Sequence, residues 1–163
     1  MVPAVDPPRH LSFHQDPCHL PAQIIGDYYP AWKVYRGRKP SDLRLHLLTH
    51  VYYAFAGVAK DGTIFVGTES LGRRHLTDTR RQHRDLRADT ELMTDGCSGA
   101  LRALVKLKAD INPDLKIILS VGGGSGSRYF ADVAADEYKT KRFCESAKEM
   151  VDRFGLDGID GLW

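Results

Sequence analysis

The clearest periodicity lies toward the C-terminal end, where Phe143, Ala147, Met150, Val151 and Phe154 follow at steps of four, three, one and three. That spacing lines one face of a 3.6-residue period and predicts a helix over about 138–154. Lys141 with Glu145, and Glu149 with Arg153, stand at i,i+4 on its polar side. Gly155 occupies the position at which glycine commonly ends a helix. A second helix is predicted from near Gly99 to Pro113, with Leu101, Leu104, Val105 and Leu107 as its apolar positions. Three runs lack any helical period and are rich in β-branched and aromatic residues: Gln23 to Tyr29, closed by Pro30; Thr49 to Ala56; and Lys116 to Val121, ended by Gly122-Gly123-Gly124. They predict strands. Pro40-Ser41-Asp42-Leu43 predicts the opening of a short helix with Leu43, Leu47 and Leu48 behind it, and a fourth strand starts near Leu156. The order strand, helix, strand, helix, strand, helix, strand predicts an α/β fold of parallel βαβ units. Strands apolar on both faces suit a sheet covered by helices.

Two segments fall outside this pattern. Residues 1–22 hold five prolines and three histidines without a period and read as a loop or disordered leader before a domain at 23–163. Residues 66–87 are rich in arginine and poor in apolar residues, and the plain reading is a solvated charged insertion. A nucleic-acid-binding arm would interleave aromatics with its basic residues, and none is present. Translated non-coding sequence is a third reading of this insertion.

Composition narrows the partners more than the fold. The 163 residues are 42% hydrophobic and 27% charged with a formal net charge of +2, which favours neither nucleic acid nor an anionic membrane. A neutral polymer such as a polysaccharide is compatible with it. Cys18, Cys97 and Cys144 are odd in number and widely spaced, so no disulfide framework is implied. The N-terminus shows no basic region followed by an apolar run, and no stretch approaches the length of a membrane span. The chain as written is therefore expected in the cytoplasm.

The candidate chemistry sits at strand ends. Asp157 and Asp160 lie in Leu156-Asp157-Gly158-Ile159-Asp160, behind the helix stop, and on their own suit a cap or turn as well as a catalytic pair. Upstream stand Gly26-Asp27-Tyr28-Tyr29-Pro30-Ala31-Trp32, Tyr52-Tyr53-Ala54-Phe55-Ala56 and Ser120-Val121-Gly122-Gly123. Together, in this order, these four segments resemble the first four strands of the family 18 glycoside hydrolases, the chitinases. The last resembles the opening of their D-G-x-D-x-D-x-E signature. The resemblance extends over about 24–65 and 95–160, and Lys33 to Leu43 is similar to fungal-type members. Other motifs fail. Gly122 to Ser127 lacks the ending of a phosphate loop. Gly96 to Ala100 misses the nucleophile elbow by its final residue. His46 and His50 lack the zinc protease glutamate between them, and His10, His14 and Cys18 lie in the proline-rich leader.

The resemblance implies an eight-stranded (β/α) barrel, of which this chain would supply roughly three βα units and the start of a fourth strand. Such barrels carry their catalytic groups at the C-terminal ends of the strands. It implies the substrate-assisted mechanism, in which the acetamido oxygen of the sugar attacks its own anomeric carbon while a glutamate protonates the departing oxygen. Carried over, Asp160 belongs to the inner carboxylates that orient the acetamide, and Asp157 mainly supports the strand end. Tyr28 and Phe55 line the sugar-binding floor, with Ser120, Gly123 and Trp163 beside them; a core role for Phe55 and a strand-end hydrogen bond for Ser120 are the structural alternatives. Chitin or chito-oligosaccharide is the implied partner, with no cofactor, no metal and no obligate protein partner. Two departures stand out. Leu162 occupies the third aspartate position, and the position of the closing glutamate lies one residue beyond Trp163. The chain as written is thus expected to lack chitinase activity and, as half a barrel with open edges, to fold poorly alone. A non-catalytic, lectin-like relative and a non-functional fragment of a longer reading frame are the alternatives.

Overall fold

Residues 23–66 and 92–162 are described by the computed structural model of the chain. The leader at 1–22 with His10, His14 and Cys18, the arginine-rich insertion beyond Val66, and Trp163 lie outside the described residues. The elements in order are β1 (Gly26–Pro30), β2 (His50–Val58), β3 (Ile64–Phe65), β4 (Met93–Thr94), β5 (Cys97–Ser98), α1 (Ala100–Ile111), β6 (Lys116–Gly122), α2 (Gly123–Gly126), α3 (Phe130–Ala134), α4 (Glu137–Phe154) and β7 (Gly158–Leu162).

The central sheet runs β1-β2-β6-β7, parallel throughout, with β3 folded back antiparallel on the end of β2. Alternation along the strands divides its two faces. Val51 and Tyr53 on β2 and Ile117, Leu119 and Val121 on β6 have no exposed surface. They form a core with Tyr29, with Leu101 and Leu104 of α1, and with Ala147 and Phe154 of α4. Phe143, Met150 and Val151 complete the apolar face that the spacing predicts. The opposite face of the sheet carries Tyr28, Tyr52, Ile118, Ser120 and Asp160.

The helices start and stop where local chemistry directs. The Asp136 carboxylate accepts the Lys139 N–H at the start of α4, 3.1 Å away, and Gly155 closes the helix in a left-handed conformation. Lys148 and Asp152 form an i,i+4 ion pair on its outer side.

Three features differ from the sequence expectation. The crossover from β1 to β2 holds no α-helix. It consists of 3-10 turns at Ala31–Arg36, Pro40–Asp42 and Leu45–Leu47. The Asp42 carboxylate takes the Lys39 N–H at 2.8 Å and caps the start of the second turn, which ends after three residues as Leu43 becomes extended (ψ 142°). Leu45, not Leu47, then enters the core, and Leu47 is exposed. Second, β1 begins at Gly26 and includes Pro30 as its last residue. Third, β4 and β5 form a hairpin through Asp95-Gly96, both at positive φ (47° and 74°), as a two-residue turn of this hand requires. The Asp95 carboxylate then accepts from the Ser41 amide and hydroxyl at 3.0 and 2.7 Å, tying the hairpin to the first crossover.

Candidate active site

Two rows of paired residues build the site. Tyr28, Tyr52, Ile118 and Gly158 are in register across the four strands, and one step along the same face come Pro30, Ala54, Ser120 and Asp160. The Ser120 hydroxyl donates to Asp160 Oδ2 at 2.5 Å, and the Tyr28 hydroxyl donates to the same oxygen at 3.2 Å. Tyr28 and Asp160 belong to the two outer strands of the four, about 14 Å apart at ~4.8 Å per strand spacing in a flat sheet. Their hydrogen bond therefore requires the sheet to curl, with this face on the concave side. Both donors converge on Oδ2, and Oδ1 has no protein donor among the described residues.

The tyrosine is held as a neutral donor. Loss of hydration, then the charge and acceptor of Asp160, push the Tyr28 phenol above its ordinary 10.0, against a smaller opposing effect of the Ser120 hydroxyl. Its ring stacks on Tyr52 with centroids 4.9 Å apart, and Tyr28 remains 44% exposed. Tyr52 is a site residue that the sequence reading passed over. Its signal was the doublet: Tyr28-Tyr29 and Tyr52-Tyr53 each send one ring to the core and one to the concave face.

At the C-terminal end of the strands lie Phe55 and Gly123. The Ala54–Phe55 peptide is cis, and the β2–β6 register shifts between Ala54 and Ala56. The Phe55 ring packs over Gly123, where a Cβ would lie 2.9 Å from ring carbons, and against Trp32 with centroids 5.9 Å apart. Trp32 thus joins the aromatic surface, though only the motif around it drew notice in sequence. Leu162 pairs with Gly122 and is 37% exposed; its carbonyl accepts from the Ser127 hydroxyl at 3.0 Å. Trp163 lies outside the described residues.

Asp157 is not brought to Asp160. It sits at the opposite, N-terminal end of the sheet, where Oδ2 accepts from Lys108 Nζ at 2.6 Å and from the Ile117 amide at 2.7 Å. Burial alone would raise this carboxyl, but the Lys108 and Ile117 hydrogen bonds and the charges of Lys108 and Lys116 outweigh it and hold it below 3.8. The unfolded chain therefore takes up this proton first as pH falls. The stabilisation is complete above the unfolded value near 3.8 and disappears as pH drops through the lower folded value. Asp157→Ala is expected to cost about 2–3 kcal/mol at neutral pH and to remove that acid-limb dependence. Denaturant midpoints measured from pH 7 down to the acid limb check it, and an unchanged midpoint at neutral pH contradicts it.

The arrangement offers a carboxylate fixed by two neutral hydroxyl donors, one unengaged oxygen, and aromatic rings on a curved floor. That combination suits a neutral, hydroxyl- and amide-bearing ligand with apolar C–H faces. Among the described residues no group of three or more His, Cys, Asp or Glu side chains could hold a metal ion, and no helix is long and apolar enough to cross a membrane.

The chain is similar to known proteins over most of its length. The sequence model described as glycosyl hydrolases family 18 matches residues 24–163. Chitinase 1 of Aphanocladium album is 34% identical over 138 residues, covering 83% of this chain and 30% of that protein. Chitinase A1 of Niallia circulans is 32% identical over 162 residues, covering 86% and 23%. Among solved structures, chitinase ChiA74 from Bacillus thuringiensis superposes with a TM-score of 0.63 at 28% identity, over 85% of this chain and 27% of that one. The chain thus spans less than a third of each of these relatives, and its curled parallel sheet is part of a (β/α)8 barrel. By these matches, and by the order of its strand-end motifs, the chain belongs to family 18 of the glycosyl hydrolases.

Proposed function

We propose that these residues form part of the sugar-binding floor of a chitinase-type glycoside hydrolase acting on β-1,4-linked N-acetylglucosamine polymers. The observation that carries the reading is Asp160, hydrogen-bonded by Ser120 and Tyr28 on the concave face. In this reading Asp160 Oδ1 accepts the acetamide N–H of the sugar and turns its carbonyl oxygen toward the anomeric carbon. That oxygen bonds to the anomeric carbon as the glycosidic C–O bond breaks, and the departing oxygen takes a proton from a general acid. Water then opens the cyclic intermediate with net retention. Tyr28, Tyr52, Phe55 and Trp32 supply the surface for the sugar rings, and Ser120 and Tyr28 keep Asp160 oriented.

The acid of that scheme is not among the 163 residues, and Leu162 puts an isobutyl group where the family signature has an aspartate. Leu162 is the specific observation behind a second reading, a chitin-binding relative that retains the floor without turnover.

Calorimetry with chitohexaose and cellohexaose tests the reading, because the two differ at the acetamide. Chitohexaose is expected to bind at least about 10-fold more tightly, since a site built to hydrogen-bond a group rejects the analogue lacking it. Equal affinity for the two would overturn the assignment. Release of a chromophore from a chito-oligosaccharide by the same polypeptide would exclude the binding-only behaviour.

A further inference from the structure

We infer that Lys108, on the last turn of α1, is a positioning residue for the Asp160 site, acting through Asp157 to fix the register of β7 on β6. The inference rests on the functional reading of Asp160 given above.

Register matters more for β7 than for its neighbours. β2 and β6 are pinned by Val51, Tyr53, Ile117, Leu119 and Val121, all fully buried. β7 offers Gly158 and Gly161 with no side chain, and of its residues only Ile159 packs against the core. Packing therefore specifies its pairing weakly. A slip of one residue would turn Asp160 to the other face of the sheet, away from Ser120 and Tyr28.

The contacts around Asp157 supply what packing does not. Its amide donates to the Ile117 carbonyl at 2.9 Å, and its carboxylate accepts the Ile117 amide at 2.7 Å. This reciprocal pair sets Asp157 opposite Ile117 and hence Asp160 opposite Ser120, three residues on. Lys108 Nζ holds the same carboxylate oxygen at 2.6 Å, with both side chains largely buried (18% and 17% exposed). Lys116 stands farther off at 3.5 Å and is 52% exposed, which leaves it to solvent screening. Lys108 also lies where a cation complements the C-terminal end of α1. Nothing in the chemistry of the signature marks it, because it reaches the strand from a helix 49 residues earlier.

The test compares Lys108→Met, Lys108→Arg and Lys116→Met in the full chain. Two readouts need no sugar: amide hydrogen exchange across Gly158–Leu162, and the titration of Tyr28 followed by NMR of labelled tyrosine. Lys108→Met is expected to speed exchange in β7 at least about 10-fold more than in β2, because local opening is decoupled from global unfolding. It should also return the Tyr28 phenol toward 10.0 as Asp160 moves away. Lys108→Arg should restore both, and Lys116→Met should change neither. A Lys108→Met protein that is merely less stable, with β7 exchange tracking β2 and Tyr28 unmoved, overturns the inference. So does a variant that fails to fold at all while Lys108→Gln folds with both readouts at their original values. If the readouts respond as expected but no variant, nor the original chain, binds chitohexaose, the positioning role stands and the functional reading fails.

Discussion

Gly122→Ala is expected to destabilise the fold by about 3 kcal/mol or more, near the upper end for a single methyl group. Gly122 is the last residue of β6 and has φ +112° and ψ −119°, a conformation closed to L side chains. A Cβ there would strike the Leu162 carbonyl oxygen and approach the Phe130 ring at 2.7 Å. Neither obstacle is the free end of a flexible side chain. The carbonyl belongs to the paired end of β7, and Phe130 is buried in the core. Relief therefore requires β7 to shift at Leu162, two residues from Asp160. Gly124, two positions on, is the control: among the described residues nothing outside its own turn lies within 4 Å of its Cβ position, and its φ is not positive. Gly124→Ala is expected to lie within about 0.5 kcal/mol of the parent, or to stabilise slightly by restricting the unfolded chain. Chemical denaturation of both variants checks the pair. Equal midpoints would mean that Gly122 is not the constrained residue its geometry describes.

The residues of β2, β6 and α4 were legible because burial imposes a period, and Val51, Tyr53, Leu119 and Phe154 obey it. The β1–β2 crossover was not, since its helix-like opening at Pro40, capped by Asp42 reaching back to Lys39, ends at once where Leu43 becomes extended. Asp95-Gly96 carried a hairpin signal that could have been used, but strands of two residues leave no periodicity to frame it. Tyr28, Ser120 and Asp160 were legible as strand-end residues of a family motif. Their convergence on one carboxylate oxygen depends on curvature, which no local pattern encodes. One feature of Asp157 was available from spacing alone. On a strand, positions three apart face opposite sides and positions two apart share a side. Asp157 therefore could not join Asp160, whereas residue 162 could, which makes Leu162 the consequential departure from the family signature.

Asp160→Ala is expected to weaken chitohexaose binding about 100-fold, the equivalent of losing one charge-assisted hydrogen bond of ~1.5–3 kcal/mol. The loss should exceed that of Tyr28→Phe, which removes one of two donors to Oδ2 and leaves the 2.5 Å Ser120 bond in place. Asp160→Asn is a sharper probe than Asp160→Ala. Its amide oxygen can still accept from both hydroxyls, as Oδ2 does, but its NH2 presents donors where Oδ1 presents an acceptor. It should therefore bind the acetamide sugar nearly as poorly as the alanine variant while keeping more of the parent's stability. The Tyr28 phenol bears on the pH dependence. Since its proton is held above 10.0, affinity in the parent should stay level from neutral pH to the ordinary tyrosine range and fall only beyond it. In a Tyr28–Asp160 double-mutant cycle the two losses should be less than additive, because Tyr28 acts on the sugar through the carboxylate it orients. Additive losses would separate the two residues and reduce Tyr28 to a stacking surface. An Asp160→Ala protein that binds chitohexaose as tightly as the parent would remove the carboxylate from recognition altogether.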